Sequence, residues 1–231
     1  MPHLVGVDTG GTFTDFALLD ADSQTFFLYK HPSTPEDPSE GLVRGLRALL
    51  TRRGVEPGQV AMLVHGTTVA TNAVVEDRLE DIAMVTTAGF RDVLELGRQR
   101  RPHLYNLEIG KPRPLAPRRL RLEVRERIDA QGSVLEPLDE RDLKAAAARI
   151  RRAGVPATAI CFLHAYRNPA HERRARAVLR RLCPGVMFTI SSDVLREFRE
   201  YERFATTVLS AALLPVMRRY LDRLGRRVRR F

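Results

Sequence analysis

A chain of 231 residues and 26.1 kDa, 44% hydrophobic and 29% charged, has enough apolar material to build one large domain or two small ones without disulfide or metal staples, which excludes a disordered or fibrous protein. The longest mainly apolar stretch, residues 204–217, is interrupted by Thr206, Thr207, Ser210 and Pro215 and falls short of the ~20 residues a bilayer crossing needs. Of the net charge of +10, residues 218–231 carry +6 through seven Arg and one Asp, so the basicity is mainly a tail, and nucleic-acid binding, which wants a clustered basic face in a recognisable module, is not expected.

The opening MPHLVGVDTGG has neither a basic start nor an apolar secretion core, which makes a cytoplasmic location the expectation. Cys161 lies within an apolar run and Cys183 precedes Pro184. Neither has a His or Cys at metal spacing, so both read as reduced, structural thiols.

In chain order, three strand-like runs at residues 4–8, 15–19 and 25–29 are punctuated by TGGTFT and by Asp20, Asp22 and Ser23, which predicts a β-meander. A glycine-rich loop that leads straight into a second strand, with no helix, argues against a dinucleotide-binding fold. Pro38, Ser39 and Glu40 open an amphipathic helix closed by Gly54. A strand at 60–64 ending at His65 and a strand at 82–85 ending at Thr86 and Thr87 each lead through a hydroxyl and glycine loop into a helix. Prolines 102, 112, 114 and 117 mark an irregular connector at 101–119. Beyond it come an exposed-faced strand at 120–128, a helix capped by Asp139 and running to about Arg152, a buried strand at 157–163, and a helix started by Asn168 and Pro169. A strand at 186–190 follows, then an apolar helix at 200–214 that Pro215 kinks or ends.

The stretch that could carry chemistry is VGVDTGGTFTDFALLD. Gly10 and Gly11 in a tight turn let a ligand approach the backbone, and the turn's amides with the hydroxyls of Thr9, Thr12 and Thr14 can form an anion-binding nest suited to phosphate. Asp8 and Asp15 flank it, suited to holding magnesium through water or orienting a nucleophile. His65, Thr67, Thr68, Thr71 and Asn72 form a second polar group at a strand end and helix start, which reads equally as helix capping or as substrate contacts. Arg91, Asp92, Arg98 and Arg101 could include an anion clamp, and Glu202 and Arg203 an interdomain salt bridge.

The loop resembles the first phosphate motif of actin-like ATPases, and in finer detail the amino-terminal region of the hydantoinase A and 5-oxoprolinase family. HGTTVATNAVVEDR at 65–78, VTTAGFRDVLELGRQRRPHLYNL at 85–107, NPAHERRA at 168–175 and EYERFATTVLSAALLP at 200–215 resemble that family in the expected order, over nearly the whole chain. The resemblance implies an α/β fold: an actin-like ATPase (ribonuclease H-like) first lobe with an N-terminal β-meander and a second α/β module. It implies ATP and magnesium as cofactors and ATP-dependent opening of a lactam or hydantoin by phosphorylation of the amide oxygen. Asp8, Asp15 and His65 are the implied catalytic residues, and Thr9, Gly10, Gly11, Thr12 and Thr14 the phosphate contacts. Asp8 and Asp15 lie by the metal, and Thr67, Thr68, Thr71, Asn72, Arg91, Asp92 and Arg98 are substrate candidates. Related members are ketone carboxylase subunits, which leaves a carboxylase subunit, or a non-catalytic interaction subunit of the same fold, as the alternatives.

The family continues well beyond this length. The expected organisation is an N-terminal lobe at 1–190, made of a phosphate-loop module at 1–100, the connector at 101–119 and a second α/β module at 120–190. Residues 191–231 then form the truncated start of the hydantoinase A domain with a basic C-terminal helix. A truncated product or one half of a split protein would need a second lobe or a hydantoinase B-type subunit as partner, in a hetero- or homo-oligomer. Alone it would bind nucleotide weakly, and its last helix would expose Val208, Leu209, Leu213 and Leu214.

Overall fold

The computed structural model describes residues 2–99, 105–106, 108–110 and 112–231, so Arg101 of the expected clamp and the start of the expected connector lie outside the described residues. Tertiary contacts divide the chain into residues 1–78 with 216–231, and residues 79–215.

The first unit opens on the meander read from the sequence: β1 (His3–Thr9), β2 (Phe13–Asp20) and β3 (Thr25–Pro32), joined antiparallel. Helix α1 (Pro38–Arg53) follows, then β4 (Val60–Thr67), which pairs parallel to β1 and completes a sheet in the order β3-β2-β1-β4, and then the short α2 (Val69–Val75). Helix α1 starts where the Asp37 carboxylate accepts from the Ser39 N–H at 3.2 Å and Pro38 supplies a preset φ. It stops at Gly54, whose φ of 65° is the left-handed cap.

Period-2 alternation puts Val5, Val7, Phe16 and Leu18 on one face of this sheet, buried against Leu42, Leu46, Leu49 and Leu50 of α1 and against Tyr220 and Leu224. Gly45 lets α1 seat on that face: a Cβ there would overlap the Phe16 ring and come within 3.0 Å of His31 Cβ. Gly45→Ala is therefore expected to destabilise by about 2 kcal/mol through overpacking, read as a lower denaturant midpoint at unchanged m; a loss within the range of surface substitutions would contradict this packing.

The second unit contains β5 (Ala83–Thr87), α3 (Val93–Leu96), β6 (Arg121–Val124), the ribbon β7 (Arg127–Ile128) and β8 (Val134–Glu136), and α4 (Glu140–Ala153). After these come β9 (Ala157–Cys161), α5 (Ala170–Leu182), β10 (Met187–Ile190) and the single turn α6 (Ser191–Val194). Its main sheet runs β10-β9-β5-β6 and is parallel throughout. The strands are covered on both faces, which is why they read as unbroken apolar runs. Leu143, Ala147, Ile150, Val178 and Leu179 of α4 and α5 cover one face, and Phe204, Val208 and Ala211 cover the other.

Three expectations are corrected. The last helix, α7 (Glu200–Val228), continues through Pro215 for 29 residues, its first part within the second unit and residues 216–228 within the first. The expected strand at 120–128 is two strands in different sheets, and β6 is buried with Arg121 only 2% exposed, rather than exposed on one face. Val208 is buried, and Leu209, Leu213 and Leu214 are half-buried. Among the described residues no helix is long and apolar enough to cross a membrane, and Cys161 and Cys183 are free and buried.

Candidate functional site

The β1–β2 turn is held from beneath by a residue that sequence reasoning missed. Ser33, just past β3, donates its N–H to the Thr12 carbonyl and its hydroxyl to the Gly10 carbonyl, each at 2.9 Å. The Thr14 hydroxyl, fully buried, is 2.9 Å from Ser33 Oγ, and with the Ser33 proton already committed it is Thr14 that donates. Thr14 thus braces the turn and does not face a ligand. Gly10 donates its N–H to the Phe13 carbonyl at 3.0 Å, which leaves Gly11 and Thr12 exposed at the tip of the turn. Neither glycine adopts a positive φ; what glycine contributes is room, since a Cβ at Gly10 would press to 3.1 Å from the Phe13 carbonyl oxygen.

Above this turn lies a cleft of about 340 Å³, lined by Thr9, Gly10, Gly11, Thr34, Asp37, Thr68, Asn72, Arg219, Tyr220 and Arg223, all within the first unit. That volume sits in the range of small-molecule sites. Thr9 is 1% exposed and lines the cleft; among the described residues its hydroxyl makes no hydrogen bond of good geometry, its polar neighbour being the Tyr220 hydroxyl. Thr68 is tied to Thr9 by its N–H at 3.2 Å and its hydroxyl at 3.3 Å, both to the Thr9 carbonyl, and Asn72 Nδ2 reaches Thr68 Oγ1 at 3.4 Å. Thr68 is the N-cap of α2 but makes no capping bond with its side chain, Thr67 accepts from the Val69 N–H at 3.2 Å, and Thr71 is exposed and outside the cleft.

The arginine tail supplies part of the wall. Arg219 and Arg223 line the cleft, Arg223 with its guanidinium 4.0 Å from Asp37, and Arg227 bonds Asp37 at 2.8 Å and the Ser39 hydroxyl at 3.1 Å, clamping the end of α7 to the start of α1. Burial by itself would raise the Asp37 carboxyl, but the Ser39 hydroxyl and the Arg227 guanidinium outweigh it and hold it below the usual carboxylate range.

His65 stands one layer behind the cleft. Its Nε2 is 2.5 Å from the hydroxyl of Tyr220, a cleft residue from the tail that nothing in the local sequence marked. Burial lowers the imidazole below its ordinary 6.5 and raises the Tyr220 phenol, so both are neutral near pH 7 and the phenol donates to Nε2. Because the unfolded chain then takes up the proton more readily than the folded one, this contribution to stability is whole above 6.5 and is lost as the pH falls through that value toward the lowered folded one. Denaturant midpoints followed from neutral pH to about pH 5 are expected to fall more steeply for the wild type than for His65→Gln; equal slopes would contradict the assignment.

Asp8 and Asp15 are cross-strand partners on the opposite sheet face, both exposed, lining a shallow depression with Gly6, Ala17, Leu28 and Val64. Asp15 pairs with Lys30 at 3.3 Å. The structure therefore brings the two carboxylates together, but not into the cleft with Thr9. Arg91, Asp92 and Arg98 belong to the second unit, where Arg91 faces Glu123 at 3.5 Å, Asp92 takes a bidentate bond from Arg118 at 2.8 and 2.9 Å, and Arg98 pairs with Glu202. These side chains are engaged with one another. Among the described residues no group of three or more His, Cys, Asp or Glu gathers at metal-binding distance.

Comparison with known proteins gives a family match over residues 4–183, to the hydantoinase/oxoprolinase N-terminal region. An uncharacterised protein of Methanocaldococcus jannaschii is 42% identical over 224 residues, 96% of this chain and 32% of the relative. The caprolactamase subunit alpha of Pseudomonas jessenii is 38% identical over 228 residues, 96% of this chain and 33% of the relative. The crystal structure of the ATP-dependent caprolactamase from that organism superposes with a TM-score of 0.87 at 36% identity, covering 98% of this chain and 33% of that one. The acetophenone carboxylase gamma subunit of Aromatoleum aromaticum is 35% identical over 230 residues, 90% of this chain and 31% of the relative. The chain spans about a third of the length of these relatives. The α/β fold expected from the sequence, an actin-like ATPase first lobe with its meander and second α/β module, is borne out by this likeness. The chain belongs to the hydantoinase/oxoprolinase family, of which it carries the N-terminal region.

Proposed function

We propose that the first unit binds the phosphate end of ATP for an enzyme that opens cyclic amides. The observation that carries this reading is the buried Thr9 hydroxyl, beside the Tyr220 phenol but short of a well-formed hydrogen bond, on the wall of a cleft that also presents the Gly11 backbone, Arg219 and Arg223. A phosphate oxygen would give that hydroxyl the acceptor it lacks. The Gly11 and Thr12 amides would add two donors, and the guanidiniums would offset the charge. The relative named an ATP-dependent caprolactamase supports the choice of ATP and of a lactam.

An unstrained lactam is a poor electrophile. Phosphorylating its oxygen forms an O–P bond as the γ-phosphorus separates from the bridging oxygen of ADP. Water then adds to the imidate-like carbon, the C–N bond breaks as the nitrogen takes up a proton, and a second water hydrolyses the acyl phosphate that remains to give the amino acid and phosphate. What the protein contributes is positioning and charge stabilisation around phosphate. Asp8 and Asp15, adjacent across the hairpin and open to solvent, are the residues that would hold a magnesium ion through its waters, but they stand on the sheet face away from the cleft and Asp15 is engaged by Lys30, so no phosphate contact is assigned to that ion. His65 acts through Tyr220, fixing the phenol at the cleft wall.

The likeness to a carboxylase subunit favours a second reading, in which the phosphorylated oxygen is that of a ketone enol or bicarbonate. Phosphate release from ATP, measured on the chain in its complete assembly, separates the two. Stimulation by caprolactam, 5-oxoproline or a hydantoin is the expected result. Stimulation by ketone with bicarbonate and by no cyclic amide would overturn it.

A further inference from the structure

A second site is suggested within the other unit, and it rests on no part of the phosphate reading. In the sheet order β10-β9-β5-β6, the chain leaves β5 to form β6 on one side and then returns to form β9 on the other. The junction of β5 and β9 is thus the topological switch point, where ligands of open parallel sheets sit beyond the carboxyl ends of the strands. Two buried polar clusters lie beyond those ends. In the first, Leu163 donates its N–H to Thr87 Oγ1 at 3.0 Å, Thr87 donates to Glu126, and Glu126 meets His171 Nδ1 at 2.7 Å, so these groups satisfy one another.

The second cluster is not closed. Arg203, from the EYER stretch, is 0% exposed. Its Nη1 donates to the Phe162 carbonyl and to Ser191 Oγ, both at 2.9 Å, and Ser191 in turn donates to the buried Glu172 at 2.6 Å. The other edge of the guanidinium, Nε with Nη2, has no hydrogen-bond partner among the described residues. Elsewhere in this chain that same edge holds carboxylates: Arg118 grips Asp92 with Nε and Nη2 at 2.8 and 2.9 Å, and Arg125 grips Asp142 with the same two atoms at 2.8 and 3.0 Å. The Tyr166 and Phe204 rings, with centroids 5.6 and 5.3 Å from Arg203 Cζ, accommodate the charge but offer no lone pair to the N–H fork. Beside Tyr166, His164 has a φ of 50°, and its Nδ1 is buried with no hydrogen-bond partner among the described residues.

We infer that the switch point of the second unit is a seat for the carboxylate of a small molecule, held bidentately by the Nε–Nη2 edge of Arg203 beneath Tyr166. The fork lies one ring below a half-buried Tyr166, which suits a small acid admitted by movement of that ring better than the side chain of a docked protein.

The test is the Nε–H NMR signal of Arg203 in the full chain, assigned by its loss in Arg203→Lys. Titration with acetate or glutarate is expected to shift it saturably, while chloride at equal ionic strength leaves it in place, and Arg203→Lys is expected to weaken glutarate binding at least tenfold. Should Arg203→Lys not fold, Tyr166→Leu provides the second arm: removing the ring that covers the fork is expected to quicken exchange of bound acid while keeping saturation. A shift that never saturates, one that chloride reproduces, one unchanged in both variants, or one produced by an acidic peptide but by neither small acid would overturn the assignment.

Discussion

Glu172→Ala is expected to cost the second unit about 3 kcal/mol or more, enough to remove a large part of a typical domain's stability. The carboxylate is 0% exposed and accepts three hydrogen bonds, from the Phe162 N–H at 3.0 Å, the Ser191 hydroxyl at 2.6 Å and the Ser192 N–H at 2.9 Å. Burial pushes its pKa above the usual carboxylate range, and the three donors pull it back. Truncation leaves two buried backbone N–H groups without acceptors at about 1–3 kcal/mol each, and it removes the negative partner that Ser191 links to Arg203. Glu172→Gln keeps one acceptor oxygen and is expected to lose distinctly less. Denaturant midpoints of the two variants provide the check; an alanine variant within about 0.5 kcal/mol of wild type would show that the knot joining α5, β9 and β10 is not what holds this unit together.

Thr9→Val is expected to move stability and binding in opposite directions. The hydroxyl is buried and makes no well-formed hydrogen bond among the described residues, so exchanging it for a methyl group of similar shape removes a desolvated donor and is expected to leave the ligand-free protein as stable as before, or about 1 kcal/mol more so. If the same hydroxyl donates to a phosphate, affinity for a non-hydrolysable ATP analogue falls about tenfold, which corresponds to ~1.4 kcal/mol. A merely structural threonine would lose stability and leave affinity unchanged, so thermal melts and calorimetric titration of one variant separate the two roles.

Local pattern carried the architecture of the first unit. Period-2 alternation with Asp, Gly and Ser turns is enough to specify a meander, and a cap, a proline and a terminal glycine fix α1 to within a residue or so. What local pattern missed depends on contacts made across the chain. Ser33 looks like any loop serine until the fold brings it under the turn, 23 residues from Gly10. Tyr220 sits in a stretch whose composition reads as a solvated basic tail; its role follows from meeting His65, 155 residues away. Pro215 removes one helical donor, but burial of the apolar positions on both sides of it outweighs that loss and the helix runs on. Arg121 reads as the charged face of a strand, yet it is buried because the Ala116 carbonyl and Glu95 supply acceptors and Asp92, 3.8 Å away, a balancing charge, and the two carboxylates lie outside any local window.

In the candidate site, the sequence located the turn and its glycines but assigned their neighbours by proximity alone. Alternation along β1 and β2 sends Asp8 and Asp15 to one face and Thr9 and Thr14 to the other, so residues adjacent in the motif serve different surfaces. Within the pair Thr9 and Thr14, a single hydrogen bond to Ser33 decides that one is a brace while the other is left facing the cleft.

The central claim is that the first hairpin turn receives phosphate, and backbone amide NMR of the chain titrated with tripolyphosphate and with the ATP analogue addresses it directly. The expected result is a saturable downfield movement of the Gly11 and Thr12 amides, with the Gly10 amide, already bonded to Phe13, moving least. Saturable binding that leaves Gly11 and Thr12 unmoved while shifting signals elsewhere would place the nucleotide at another site and contradict the account.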